Sequence, residues 1–235
     1  MRTRSAKYYD EIYATNGKDY PAEAALTHKI IRRYKKSKNI TLLDVGCGTG
    51  IHLGLLKEYY QAEGLDIDPF MLKEARKNYP DLHFHQGDMA NFDLGRSFDV
   101  VISLFSAIGY ARTKARLNKT LQTMARHLNP QGVVLIEPWF TPEQWNPGRV
   151  FTTLSSKTDS KVFRMSYSGR KGKISIIEFH YLIGTPKGIE YTSEILKLGL
   201  FTQEEYIEAF QKADLTVTYD PKGLDGRGLY IGVKS

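Results

Sequence analysis

The chain has 235 residues, 41% of them apolar and 25% charged, with a formal net charge of +7. That length suits one packed domain, or one domain carrying an insertion, of ordinary globular composition. Its longest apolar runs are too short to cross a bilayer, its single cysteine (Cys47) excludes an internal disulfide, and no Cys/His cluster has zinc spacing.

The basic start, Met1-Arg2-Thr3-Arg4-Ser5, is not followed by an apolar stretch, so it does not read as a signal peptide and a cytoplasmic location is expected. Residues 20–34 can form a helix with Ala24, Ala25, Ile30, Ile31 and Tyr34 on one side. Lys35-Lys36-Ser37-Lys38 is the one dense basic run and reads as a solvated face. With no basic stripe interleaved with aromatics, the positive charge points to a phosphate-bearing small substrate, and neither nucleic acid nor membrane is expected as a partner.

Ile40–Val45 reads as a buried strand, and Ile51, Leu55 and Tyr59 follow at helical spacing. A second strand ends at Gly64–Asp66, and Pro69 opens a second helix in the first-turn position where proline is tolerated. Leu82–His85 and Phe98–Leu104 are a third and a fourth strand. Leu117, Leu121, Met124 and Leu128 mark the next helix, which Asn129-Pro130-Gln131-Gly132 breaks before a fifth strand at Val133–Ile136. Alternation of this kind gives parallel strands with helices on both faces, a doubly wound α/β sheet.

After Glu137 the period falls to 2. Residues 161–198 read as an inserted antiparallel meander with turns at Gly169–Lys173 and Pro186-Lys187-Gly188. In it Ile177, Phe179, Tyr181 and Ile183 share one face, and Glu178 and His180 the other. Thr202 and Glu205 form a capping box, and Leu215–Tyr219 and Leu229–Val233 complete a mostly parallel seven-stranded sheet. The expected organisation is a core over 1–138, an insertion over 139–200 and completion of the core over 201–235.

The run Asp44-Val45-Gly46-Cys47-Gly48-Thr49-Gly50 passes from a strand into a helix. A dinucleotide fingerprint needs its third glycine one residue later, where Ile51 stands. Asp44 ahead of the glycines would repel a pyrophosphate but suits an ammonium group. Asp66 ends the second strand, where it can accept both hydroxyls of a ribose. Asp88 follows the third strand, where it can meet an adenine amino group, with Met89 and Ile67 flanking the ring. Each acid alone reads as a turn or cap residue; all three at the carboxyl edge of one sheet read as a ligand site. Cys47 reads as packing, since no base is placed for it.

The order DVGCGTG (44–50), GLDID (64–68), GDM (87–89) and FDVVISLFS (98–106) resembles the class I methyltransferases that depend on S-adenosyl-L-methionine (SAM). The resemblance implies a Rossmann-like fold. It also implies that Asp44, Gly46, Cys47, Gly48 and Gly50 hold the methionyl part, Asp66 the ribose, and Asp88, Met89, Ile67 and Leu104 the adenosine surroundings. A closer likeness rests on Gly17-Lys18-Asp19-Tyr20, Phe105–Tyr110, Glu137-Pro138-Trp139-Phe140, Ile177–His180 and Gly226-Arg227-Gly228-Leu229. These resemble the N,N-dimethyltransferases of dTDP-aminodeoxysugars. The likeness implies Tyr9 and Tyr20 near the methionyl group, Tyr110 beside the sugar amine as the catalytic residue, Arg227 on the substrate pyrophosphate, substrate contacts at Ala107 and Glu137, and a homodimer.

The residues themselves add Trp139 as an aromatic wall or a core residue, Arg164 and Arg170 as weaker candidates for the substrate, and Glu178 with His180 as a pocket lining or a cross-strand pair. The sequence departs from that family where Ala107, Phe140 and Leu224-Asp225 stand in place of Ser, Trp and Pro-Ser. A small-amine methyltransferase and a nucleic-acid-binding protein are the alternatives, and Arg227 with the insertion weighs against the first.

Overall fold

The computed structural model describes Thr3 and residues 5–235; Met1, Arg2 and Arg4 of the basic start lie outside them. Two helices come first, α1 (Tyr9–Thr15) and α2 (Tyr20–Tyr34). The Asp19 carboxylate caps α2 by accepting the Ala22 N–H at 3.0 Å, and Pro21 sits in the first turn, where its missing N–H costs nothing. Then β1 (Thr41–Val45), α3 (Ile51–Leu56), β2 (Gln61–Asp66), α4 (Pro69–Asn78), β3 (His83–Gln86), β4 (Phe98–Ser103), α5 (Lys114–Arg126) and β5 (Leu128–Ile136) alternate. An insertion of β6 (Val150–Ser156), β7 (Lys161–Lys171), β8 (Ile174–Thr185) and β9 (Gly188–Gly199) precedes α6 (Gln203–Gln211), β10 (Leu215–Asp220) and β11 (Leu229–Lys234).

The main sheet has seven strands in the order β10-β11-β5-β4-β1-β2-β3. The strands β1 to β5 pair in parallel, and β11 runs antiparallel to both β5 and β10. Buried side chains alternate between its two faces. Leu42, Val100, Ile102, Val133 and Leu135 pack under α2 and α3, while Leu43, Val101, Val134 and Ile136 pack under α5 and α6. The strand order reverses between β1 and β4, so the crevice at their carboxyl ends is where such a sheet takes a ligand.

The insertion is a separate four-stranded antiparallel sheet, β6-β7-β8-β9. Val162, Phe179, Tyr181 and Ile183 on its inner face close around Ile12 of α1. The expected meander lacks β6 and has its other three strands. Asn129–Gly132, expected as a helix-breaking loop, is instead the irregular start of β5. The register with β4 shifts there, and Gln131 takes a left-handed φ of 60°. The helix from Ile51 stops at Leu56, before Tyr59.

Candidate active site

The turn from β1 to α3 is pinned from below. The Gly46 and Cys47 N–H groups both donate to the Leu65 carbonyl, at 2.7 and 3.1 Å. Gly46 has φ +84°, and a Cβ there would lie 2.6 Å from Ala107 Cβ, so no other residue fits between loop and wall. Cys47 packs against Gly64, and burial pushes its thiol up, away from reactivity.

Asp44, at the end of β1, is 2% exposed, and its Oδ1 is buried with no hydrogen-bond partner among the described residues. Burial, and then the Asp66 charge, push it up to about 8. A buried carboxylate oxygen that lines a cavity fits an ammonium ligand. Asp66, at the end of β2, accepts the Gly48 and Asp68 N–H groups at 2.8 Å each, and burial raises it as well. Asp88 accepts the Ala90 N–H at 2.9 Å and two bonds from Arg116 at 2.8 and 3.0 Å. Burial alone would raise Asp88; those donors outweigh it and hold the carboxyl below its ordinary value.

These acids line a cavity of about 1060 Å³. Single-ligand pockets run from about 300 to 1,000 Å³, so there is room for a nucleoside cofactor and a second large ligand. Tyr9, Tyr20, Gly46, Cys47, Gly48, Ile67, Met89, Leu104, Ala107, Tyr110, Trp139 and Arg227 all line it. Gly50 is not in the lining; it caps α3 with φ +79°.

A lid closes one side. Tyr13 on α1 lies edge-on to Phe105 at 4.8 Å and beside Tyr9 at 4.7 Å. Thr49 Oγ1 in the glycine loop donates to Asp10 at 2.6 Å. The N–H and hydroxyl of Thr3 both donate to Asp68 at 2.7 Å, and Ser5 donates to Glu194 of β9. The amino-terminal segment is thus tied to both sheets. Tyr110 enters from the 3-10 turn after β4. Burial first, then Tyr13 and Asp66, raise its phenol well above the ordinary value, so it is a neutral hydroxyl.

A charged cluster lies near the glycine loop, since Ala107 packs on Gly46 and Glu23 pairs with His52 in the first turn of α3 at 3.0 Å. Arg227 donates to Ser106 Oγ and Glu137 Oε1 at 2.9 Å each and to both oxygens of Asp225. Lys18 Nζ lies 2.6 Å from Glu23 and 4.0 Å from the Phe105 ring centre. Ile177, Phe179, Tyr181, Leu196 and Leu198 of the inserted sheet form an apolar wall.

Several expected substrate residues stand elsewhere. Glu178 and His180 lie on the outer face of β8, and His180 pairs with Tyr191 at 2.7 Å; the inward set is the apolar one. Arg170 is exposed and donates to the Gly172 and Pro142 carbonyls, so it fastens a hairpin. Arg164 is buried between the rings of Tyr13 and Phe179, behind the wall. Glu137 is fully buried and holds Arg227 and the Phe105 N–H instead of facing the cavity. Sequence reasoning passed over Tyr13, Arg116 and Glu194, and it named Phe105 and Asp225 without giving either a role. Lys18 lies in a quoted motif, but only the fold brings it to Phe105.

A parallel sheet that reverses order beside a glycine turn, with acids ending β1 and β2 and following β3, defines a class I SAM-dependent methyltransferase. A sequence profile described as a methyltransferase domain matches residues 42–132. A dTDP-3-amino-3,6-dideoxy-alpha-D-glucopyranose N,N-dimethyltransferase from Streptomyces fradiae is 42% identical over 97% of this chain and 90% of its own length. The crystal structure of DesVI from Streptomyces venezuelae superposes with a TM-score of 0.93 at 40% identity, covering 99% of each chain. A SAM-bound amino pentose methyltransferase from Micromonospora echinaspora does so with a TM-score of 0.86 at 38% identity, covering 97% of this chain and 96% of its own. The chain belongs to this family of sugar N-methyltransferases.

Proposed function

We propose that the chain methylates the amine of a dTDP-linked aminodeoxysugar twice, giving the N,N-dimethyl product. The observation that carries this reading is one cavity whose lining combines three kinds of group. The acids Asp44, Asp66 and Asp88 share it with an apolar wall from the inserted sheet and with the cations Lys18 and Arg227. A small amine would need neither those cations nor the wall.

SAM supplies an activated methyl group when bound. Asp44, Asp66 and Asp88 are the residues that would hold it, at the ammonium, ribose and adenine. The protein's task is to present an uncharged amine to that methyl group, and positioning alone can account for about 7–11 kcal/mol of a barrier. Tyr110, neutral and in the cavity wall, serves by hydrogen bonding to the amine rather than by removing its proton. The tyrosines of α1 and α2 close the cavity and exclude water. Incubation with SAM and a panel of dTDP-3-amino and dTDP-4-amino sugars, read by mass, tests this. Gain of one or two methyl groups on one sugar is expected; no gain on any sinks the substrate reading and spares the cofactor site.

We further propose a homodimer, a cytoplasmic location and no nucleic-acid partner. Among the described residues no helix is long and apolar enough to cross a membrane. Support for the dimer is the outer face of the inserted sheet, where Val150, Leu154, Met165, Leu182, Tyr191 and Ile195 are all at least 43% exposed.

A further inference from the structure

The guanidinium expected to meet a phosphate is held by the chain's own carboxylates. Arg227 Nε donates to Asp225 Oδ1 at 3.0 Å, and Nη2 donates to Asp225 Oδ2 and to Glu137. Nη1 donates to Ser106, which leaves one of its five hydrogens without a partner among the described residues. Lys18 stands in the same cluster, with Asp225 Oδ2 3.6 Å from its Nζ.

The two carboxylates on Arg227 differ in what it costs to move them. Glu137 has no exposed surface, sits just past the end of β5, and also accepts the Phe105 N–H; withdrawing it would strand buried donors. The Asp225 side chain is 29% exposed, lines the cavity, and stands on the loop between β10 and β11. Gly226 and Gly228, both with φ +89°, flank Arg227 on that loop and give it backbone freedom that other residues lack.

We propose that Asp225 is an exchangeable counter-ion: it neutralises Arg227 and Lys18 until the pyrophosphate of an acceptor takes its place, and it thereby sets affinity for the nucleotide half of the substrate. The proposal rests on the nucleotide-sugar reading above. The same N–H groups cannot serve Asp225 and a phosphate at once, and two anions at that distance repel. Asp225 can turn to water, whereas Glu137 cannot. An amine without an anionic group does not dislodge Asp225, so the residue also discriminates against small acceptors.

Calorimetric titration of dTDP into the whole protein tests this, with wild type compared with Asp225→Asn and Asp225→Ser. Titration of SAM into each confirms that the fold and the cofactor acids are intact. Both variants are expected to bind dTDP about tenfold more tightly than wild type, with SAM affinity unchanged. Equal or weaker dTDP binding by both variants overturns the proposal, because Asp225 would then be irrelevant or a support for Arg227. If wild type and both variants bind SAM but none binds dTDP, the nucleotide-sugar reading falls and this proposal falls with it.

Discussion

Asp44 carries the cofactor argument at the scale of a single atom. In an unfolded chain it releases its proton near pH 4, whereas in the fold burial delays release to about pH 8. Between those values the folded protein binds more protons than the unfolded one, so stability without cofactor falls as pH rises. Thermal melts of the cofactor-free protein from pH 5 to pH 8 should show that slope. Asp44→Asn should flatten part of it, Asp66 supplying the rest, since burial raises it too. A slope unchanged in the variant would mean that Asp44 is not the titrating group. Tyr110 is tested by kinetics. A hydrogen bond to a charged or developing-charge partner contributes about 1.5–3 kcal/mol. Tyr110→Phe should therefore lower kcat about 10- to 100-fold with SAM affinity unchanged, and full retention of kcat and KM would remove Tyr110 from the mechanism.

At the scale of elements, a part-buried hydrogen bond from Thr49 to Asp10 ties α1 to the glycine loop. Burial raises Asp10, and the Thr49 hydroxyl opposes that. Asp10→Ala should weaken SAM binding about tenfold and speed hydrogen exchange across Tyr9–Thr15, while the main sheet keeps its protection. Unchanged exchange in α1 would show that the lid does not depend on this contact. A second element is the elbow after β4, where Phe105 and Ser106 take left-handed φ values of 48° and 61° in succession. Such a pair is costly for side-chain-bearing residues, and Glu137 secures it through the Phe105 N–H while Ser106 donates to the Pro138 carbonyl at 2.6 Å.

Much of this architecture was legible in the sequence. The strands of the parallel sheet declare themselves as apolar runs because both faces are buried. Glycines and strand-end acids mark the cofactor corner because their chemistry is local. The inserted sheet was legible only in part, for a physical reason. In β6 the polar Thr153 and Ser155 point inward, to Asn16 and Glu11, while Val150 and Leu154 face out. A pattern that puts polar residues inside hides the strand and reverses the usual inference. In β8 the order is the usual one: the pocket takes Ile177, Phe179 and Tyr181, and of the two readings open for Glu178 and His180 the outer face, with His180 on Tyr191, is the one found. The Arg227–Asp225–Lys18 cluster joins the β10–β11 loop and the α1–α2 turn, so no local spacing announces it.

For the whole molecule, the reversed pattern has a cause if the outer face is not a solvent face. Cross-strand pairing aligns Val150 with Tyr167, Phe163 with Leu182, and Leu182 with Tyr191, so these apolar side chains share one surface. Four strands about 4.8 Å apart and about ten residues long at about 3.3 Å each give a face of about 600 Å². That approaches the ~800 Å² per partner of a standard interface, and a self-complementary patch of this kind suits a two-fold pair. Ile195, 62% exposed, lies on that surface opposite Glu178, and its neighbours Glu194 and Leu196 line the cavity from the other side of the same strand. Association would therefore stiffen the wall that holds the acceptor without touching the cofactor acids. Sedimentation equilibrium at micromolar concentration should find a dimer for the wild type and a monomer for Ile195→Lys combined with Leu182→Lys. The monomeric variant should bind SAM as the wild type does and show a raised KM for the acceptor. A wild-type monomer at that concentration would refute the dimer, and an unchanged acceptor KM in a monomeric variant would separate oligomeric state from the site.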